Sequence, residues 1–353
     1  MIGENQASSQ SVGASIFAGN IVRHREFLSF TQPDYTQGIE FEYIAKKDST
    51  VAWQRFWRMP DITHHIHTHN FRTGQLGRAI AYYPSVSFTI FSKGNFKFQC
   101  QMGNGISYVT KKSEQFNLAN NAIGSHWNSI LALRFELKYE TENGLELNLG
   151  PQLFHYSNGA AKAPNAGINT ASLIFGIKSL FDKSPTYIRG TRYKPSLGFD
   201  KWKIEMNIGL GFRQINIPSG LTYRVPQVSL FAHYYLLEYF RVVGGFSYQY
   251  NYADYYFQKT QFESNEVAAR EARDFLSKFS GDFLFGNFFA RFQFGFYLRL
   301  EEKLENDPFS TMFSLNYGRK IFSGSDTKIF LGIGVRSHKF VAQYLSFNTG
   351  FIL

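Results

Sequence analysis

The chain has 353 residues, is 44% hydrophobic and 18% aromatic, with 38 Phe and 21 Tyr, and carries a formal charge of +10. Its mean hydropathy is only -0.26. No run of about 18 apolar residues occurs, which excludes a transmembrane helix, and the single Cys100 excludes an internal disulfide and a cysteine-based metal site. The positive charge reads either as ordinary surface charge or as attraction to an anionic partner; no nucleic-acid motif accompanies it, so no nucleic acid is expected.

In chain order, the first candidate strand covers Ser11 to His24. A long connection is expected near 48–76. Within it, His64-His65-Ile66-His67-Thr68-His69 reads as an exposed polar loop, with a Zn or Cu site as the alternative because His65, His67 and His69 share one face of an extended segment. Alternation with period 2 then takes over. In 96–102, Phe96, Phe98, Cys100 and Met102 oppose Lys97, Gln99 and Gln101. In 131–139, Leu131, Leu133, Phe135, Leu137 and Tyr139 oppose Arg134, Glu136 and Lys138. Lys93-Gly94-Asn95 and Glu142-Asn143-Gly144 carry the residues a tight hairpin needs.

Residues 145–157 and 169–181 form two further strands, and longer connections fall near 113–123, 159–168, 183–200 and 256–282. In 202–210, Trp202, Ile204, Met206, Ile208 and Leu210 oppose Lys203, Glu205 and Asn207. The aromatics at 233–257 suit interfacial girdles. Residues 264–278 read as a short helix inside a loop. In 290–300, Ala290, Phe292, Phe294, Phe296, Leu298 and Leu300 oppose Arg291, Gln293 and Arg299, and 327–353 holds one or two strands.

Strands of this length, with one apolar and one charged face, fit tilted membrane strands of about 9–11 residues better than a sandwich. The expected architecture is therefore all-β: a single transmembrane antiparallel β-barrel over 1–353, of about 12 strands with 14 as the alternative. The inward charges of both signs either plug the lumen or line a wet pore. A barrel needs export, and Met1 to Gln6 lack the charged and apolar regions of a signal, so a mature form is expected. Tight turns belong at the periplasmic end, which makes 145–157 run outward. A first strand at 11–24 that starts in the periplasm reverses this count.

In 145–157, Leu145, Leu147, Leu149, Pro151 and Leu153 form the lipid face, and the alternation carries His155 and Ser157 onto it. Asn169 falls in phase with the apolar Leu173, Phe175 and Ile177 of the next strand. Polar groups on a lipid face need a reason: either water at the interface or function. A His and a Ser two apart on one face, with a third polar group beside them, can act as base, nucleophile and orienting residue. Asn158-Gly159 follows at once and can supply an oxyanion site, while Gly159, Pro164 and Gly167 shape a bent loop.

His155-Tyr156-Ser157-Asn158-Gly159, followed by Pro164-Asn165-Ala166-Gly167-Ile168-Asn169, closely resembles the signature of PagL-type lipid A 3-O-deacylases. Gly103-Asn104-Gly105-Ile106-Ser107-Tyr108 and Asn120-Asn121-Ala122-Ile123-Gly124-Ser125-His126-Trp127-Asn128 are similar to the preceding segment of larger relatives, so the likeness spans about 100–182. The resemblance implies an outer-membrane serine esterase of a Gram-negative bacterium that removes an ester-linked 3-hydroxyacyl chain from lipopolysaccharide. It implies Ser157 as nucleophile, His155 as base, and Asn158 with backbone near Gly159 and Ala160 as oxyanion site. Pro164, Asn165 and Gly167 support the loop. Asn169 stands where the family's acid, a Glu, is expected, and residues 155–181 contain no Asp or Glu. No metal or cofactor is expected, and a homodimer is a candidate assembly. The competing readings are another lipid esterase, such as a phospholipase, and a non-catalytic pore or structural barrel.

Overall fold

The computed structural model describes residues 10–45, 47, 50–180, 201–214, 220–298, 308–338 and 341–353. The chain divides into two compact units, one of Met1–Asn158 with Pro164–Tyr193, the other of Gly159–Ala163 with Lys194–Leu353. Each unit contains its own closed antiparallel barrel of eight strands. This replaces the expected single barrel of 12 to 14 strands.

The first barrel runs β1 (Ser11–Ile21), β2 (Thr36–Ile44), a short helix α1 (Ala52–Phe56), β3 (Asp61–Asn70), β4 (Arg78–Lys93), β5 (Phe96–Val109), β6 (Trp127–Glu140), β7 (Leu145–Ser157) and β8 (Ile168–Leu180). It closes where β1 pairs with β8. The second runs β9 (Trp202–Gln214), β10 (Thr222–Leu237), β11 (Phe240–Tyr250), helices α2 (Tyr252–Thr260) and α3 (Asn265–Glu271), then β12 (Arg273–Phe285), β13 (Phe288–Tyr297), β14 (Phe309–Lys320), β15 (Lys328–His338) and β16 (Val341–Ile352). It closes where β16 pairs with β9.

The strand count was underestimated for identifiable reasons. Strand β3 lies inside the segment expected to be a polar loop. Its inward side chains are Thr63, His65, His67 and His69, all buried, so the histidine cluster is lumen lining rather than exposed loop. The expected helix at 264–278 covers only α3; from Arg273 the chain is strand β12, with Asp274, Lys278, Ser280 and Asp282 facing inward. Residues 327–353 form two strands. The expected connection at 183–200 and the end of 290–300 at Arg299 and Leu300 lie outside the described residues. Including β3 also removes the conflict of direction. Strand β7 is seventh in a ring of eight, so β1 and β7 both start at the end bearing the Gly94-Asn95 and 141–144 turns. Those turns have the expected backbone, with Gly94 at φ 58° and Gly144 at φ 80°.

Outward positions are apolar: Ile16, Phe41, Ile66, Met102, Leu149, Leu153, Leu173 and Phe175 on the first barrel, Ile204, Met206, Leu230, Phe279 and Phe292 on the second, are all exposed. Such continuous apolar walls suit lipid, where closed barrels satisfy every backbone group between strands. Inward, polar side chains pair with one another. In the first lumen, Glu40 accepts hydrogen bonds from Arg134 Nη2 at 2.6 Å, Tyr83 Oη at 2.5 Å and His65 Nδ1 at 3.0 Å. Lys178 Nζ lies 3.1 Å from Glu42, and Lys138 Nζ lies 3.5 Å from Glu146. Towards the opposite end, Phe17, Phe71, Ile123, Phe154, Tyr156 and Ile168 form an apolar cluster. These packed side chains make the first lumen a plug rather than a wet pore. In the second lumen, Arg291 holds Glu205 with two bonds of 2.8 and 2.7 Å and also holds Asp282, which Arg241 shares at 2.8 Å.

Removing one partner of a buried ion pair leaves an uncompensated charge. Arg134→Ala should therefore destabilise the protein by about 3–5 kcal/mol in urea unfolding monitored by tryptophan fluorescence in detergent. At the rim, Lys97 and Glu140 are 3.0 Å apart with side chains 31% and 29% exposed. Lys97→Ala should change stability by about 1 kcal/mol or less.

Candidate active site

The β7–β8 register places His155 directly opposite Asn169. Both sit at the end of their strands, in phase with outward Leu153 and Leu173, and both are half-buried. His155 Nδ1 and Asn169 Oδ1 are 2.5 Å apart. An amide oxygen accepts only, so Nδ1 carries the proton and Nε2 is left as the basic nitrogen. Among the described residues Asn169 is the side-chain partner of His155; no carboxylate reaches the ring. Ser157 lies two residues on along the same face of β7, about 7 Å away between Cα atoms from the strand rise.

After β7 the chain returns to this pair at residues 164–167, within the first unit. Asn165 bridges it: its Nδ2 donates to Ser157 Oγ at 3.3 Å, and its Oδ1 accepts from the Asn158 backbone N–H at 2.9 Å. Asn158 Nδ2 donates to Ser125 Oγ at 3.0 Å, tying the loop to the segment before β6. Gly159 and Ala160 are consecutive left-handed residues, with φ 64° and 62°. That conformation is unfavourable for Ala160 by about 1–2 kcal/mol. Gly167 also has positive φ, 80°, and a Cβ there would lie 2.8 Å from His155 Cε1. Only glycine lets the backbone pass so close to the imidazole. The Gly167 N–H donates to Ala122 O at 3.0 Å, which docks the loop on the 110–126 connection, while Pro164 is half-buried within it. His24 Nε2 meets Ala166 O at 2.9 Å. The sequence-predicted residues thus fall into two hydrogen-bonded pairs on one seam, His155 with Asn169 and Ser157 with Asn165. Ser125 was not foreseen, since its role depends on a contact 33 residues away in sequence.

Tyr156 was also missed as a site-supporting residue, although alternation alone turns it inward between His155 and Ser157. Its hydroxyl is 2.9 Å from both His67 Nε2 and His69 Nδ1. Strands β3 and β7 are opposite each other in the ring, so this contact is a strut across the lumen behind the candidate pair. His65, the third imidazole of the cluster, instead binds Glu40 at 3.0 Å and Ser85 at 2.9 Å. Potential ligand atoms of Glu40, Glu42 and His65 lie within 4.8 Å of one another. Arg134 and Lys178 already neutralise those carboxylates, so the cluster has little call for a metal ion. Loss of the Tyr156 hydroxyl strands two buried imidazoles, and Tyr156→Phe should destabilise the protein by about 1–3 kcal/mol, measured by the same urea unfolding.

Residues 38–178, from β2 through most of β8, match the family described as lipid A 3-O-deacylase (PagL). No curated protein sequence matches the chain. Among solved structures, the crystal structure of the outer membrane enzyme PagL is 19% identical, with 46% of this chain and 97% of that chain covered and a TM-score of 0.32. A Pseudomonas putida F1 outer membrane channel is 8% identical over 100% and 98% of the two chains with a TM-score of 0.21. The Pseudomonas putida toluene transporter TodX is 9% identical over 98% and 88%, with a TM-score of 0.18. These low scores add nothing to the architecture, which rests on the strand pairing. By its sequence, the segment 38–178 that carries His155, Ser157 and Asn169 is a match to the lipid A 3-O-deacylase (PagL) family.

Proposed function

We propose that the protein is an outer-membrane serine esterase that hydrolyses the ester-linked 3-hydroxyacyl chain of lipid A. The observation that carries this reading is the His155–Asn169 hydrogen bond on the outer wall of the first barrel, two residues from Ser157 on the same face. A pore or a structural barrel has no use for an oriented imidazole on its lipid side. An enzyme whose substrate stays in the membrane does.

In the proposed reaction, His155 Nε2 takes the Ser157 proton as Oγ attacks the ester carbonyl. The tetrahedral oxyanion is held by polar groups at Asn158 and the Gly159-Ala160 turn. Collapse expels the lipid A hydroxyl, which receives the proton from His155. Water, activated by the same imidazole, then releases the hydroxy fatty acid from Ser157. Asn169 fixes the tautomer but offers no charge to the imidazolium, so the rate falls short of that with a carboxylate. The net positive charge suits the phosphates of lipopolysaccharide. No cofactor takes part.

The test is mass spectrometry of lipid A after incubation with the purified protein in detergent. Loss of one hydroxyacyl mass is expected. Ser157→Ala should reduce the rate by at least about 10³-fold, and unchanged lipid A with the wild-type protein would overturn the reading. Asn169→Glu, by supplying a charged acceptor to Nδ1, should raise the rate by roughly tenfold, measured as initial rates of fatty-acid release.

A further inference from the structure

The second barrel's interior contains a charge that the proposed chemistry does not use. Lys278 points inward from the middle of β12 and is 6% exposed. Its neighbours across both strand pairings are glycines, Gly245 on β11 and Gly295 on β13, so neither directly opposed residue offers it a side-chain partner. Among the described residues it makes no hydrogen bond and no ion pair. Its electrostatic neighbours are Arg336 and Arg291, of like sign, and Glu205. Glu205 is already taken by both terminal nitrogens of Arg291 and by His233 Nε2 at 2.8 Å. Arg291 in turn is fully compensated by Glu205 and Asp282. Lys278 is thus the cation left over from a set of paired charges.

Beside it lies a cavity of about 20 Å³, large enough for one water-sized occupant. Lys278, Arg291 and Gln293 line it, with further amide and hydroxyl groups, and no carboxylate does. Gln293 likewise has no side-chain hydrogen bond among the described residues and brings a second unengaged donor. A buried ammonium without a counter-charge is strongly unfavourable, and water alone does not neutralise it. A space for a water-sized occupant suits a small inorganic anion. We propose that the second barrel holds a monatomic inorganic anion, of the halide class, between Lys278 and the amides facing it. This site is independent of the esterase reading and of residues 155–169.

Bromide and chloride are the probes. Crystals of the full chain grown in bromide should show an anomalous peak within hydrogen-bond distance of Lys278 Nζ. In detergent at matched ionic strength, replacing gluconate by chloride should raise the thermal midpoint by about 3 °C, and Lys278→Met should abolish that rise. The crystallographic arm needs no variant, so it decides the matter even if Lys278→Met fails to fold. Absence of bromide at Lys278, or an equal chloride response in the wild type and Lys278→Met, overturns the proposal.

Discussion

A closed sheet in lipid has one arrangement open to it: every backbone donor and acceptor pairs with a neighbouring strand, and successive side chains alternate between hydrocarbon and lumen. In an eight-stranded barrel the lumen is narrow enough to be filled by side chains. Whatever is polar inside must therefore find a polar partner inside. The Glu40–Arg134–Tyr83–His65 cluster of the first barrel and the Glu205–Arg291–Asp282–Arg241 cluster of the second are two solutions to that requirement. Each buries carboxylates against guanidinium groups that donate in fixed directions, and each ties together strands that are far apart in the ring.

The same constraint makes the outer wall informative. Apolar side chains are the default there, so a hydrogen-bonded imidazole at the end of two apolar stripes stands out as a departure that only an interfacial or catalytic role explains. Asn158 and residues 164–167, of the same unit, are built around it. Asn165 holds both the serine hydroxyl and the Asn158 amide, Gly167 is small enough to let the backbone pass the ring, and Ala160 is kept in an unfavourable conformation. A left-handed alanine is local backbone strain that the surrounding structure has to impose. Behind them, the Tyr156 strut couples β7 to the histidines of β3, so the polar lumen supports the outer-wall pair.

Period-2 alternation made most strands legible, along with the tight turns at Gly94 and Gly144 and the outward phase of His155, Ser157 and Asn169. It failed where a strand's inner face is polar for reasons a linear pattern does not display. In β3, Thr63, His65, His67 and His69 look like a hydrophilic loop until the neighbouring strands supply Glu40 and Ser85 and the opposite wall supplies Tyr156. In β12, the alanine-rich α3 runs into the strand without a break, so a helical reading absorbs its first residues. Closure into two rings rather than one was beyond the pattern too, because it depends on β1 pairing with β8 and β9 with β16, partners far apart in sequence. Asn165 was legible as a loop residue, but its bridging of Ser157 and Asn158 follows from how the loop folds.

The central claim is that Ser157 is a nucleophile activated by His155 on the membrane-facing wall. The most direct measurement is to treat the intact protein in detergent with an organophosphonate that labels activated serines, and to locate the adduct by peptide mass spectrometry. The account predicts a single adduct on Ser157 that forms far more slowly in His155→Ala. No adduct, an adduct on another serine, or equal labelling in the variant would contradict it.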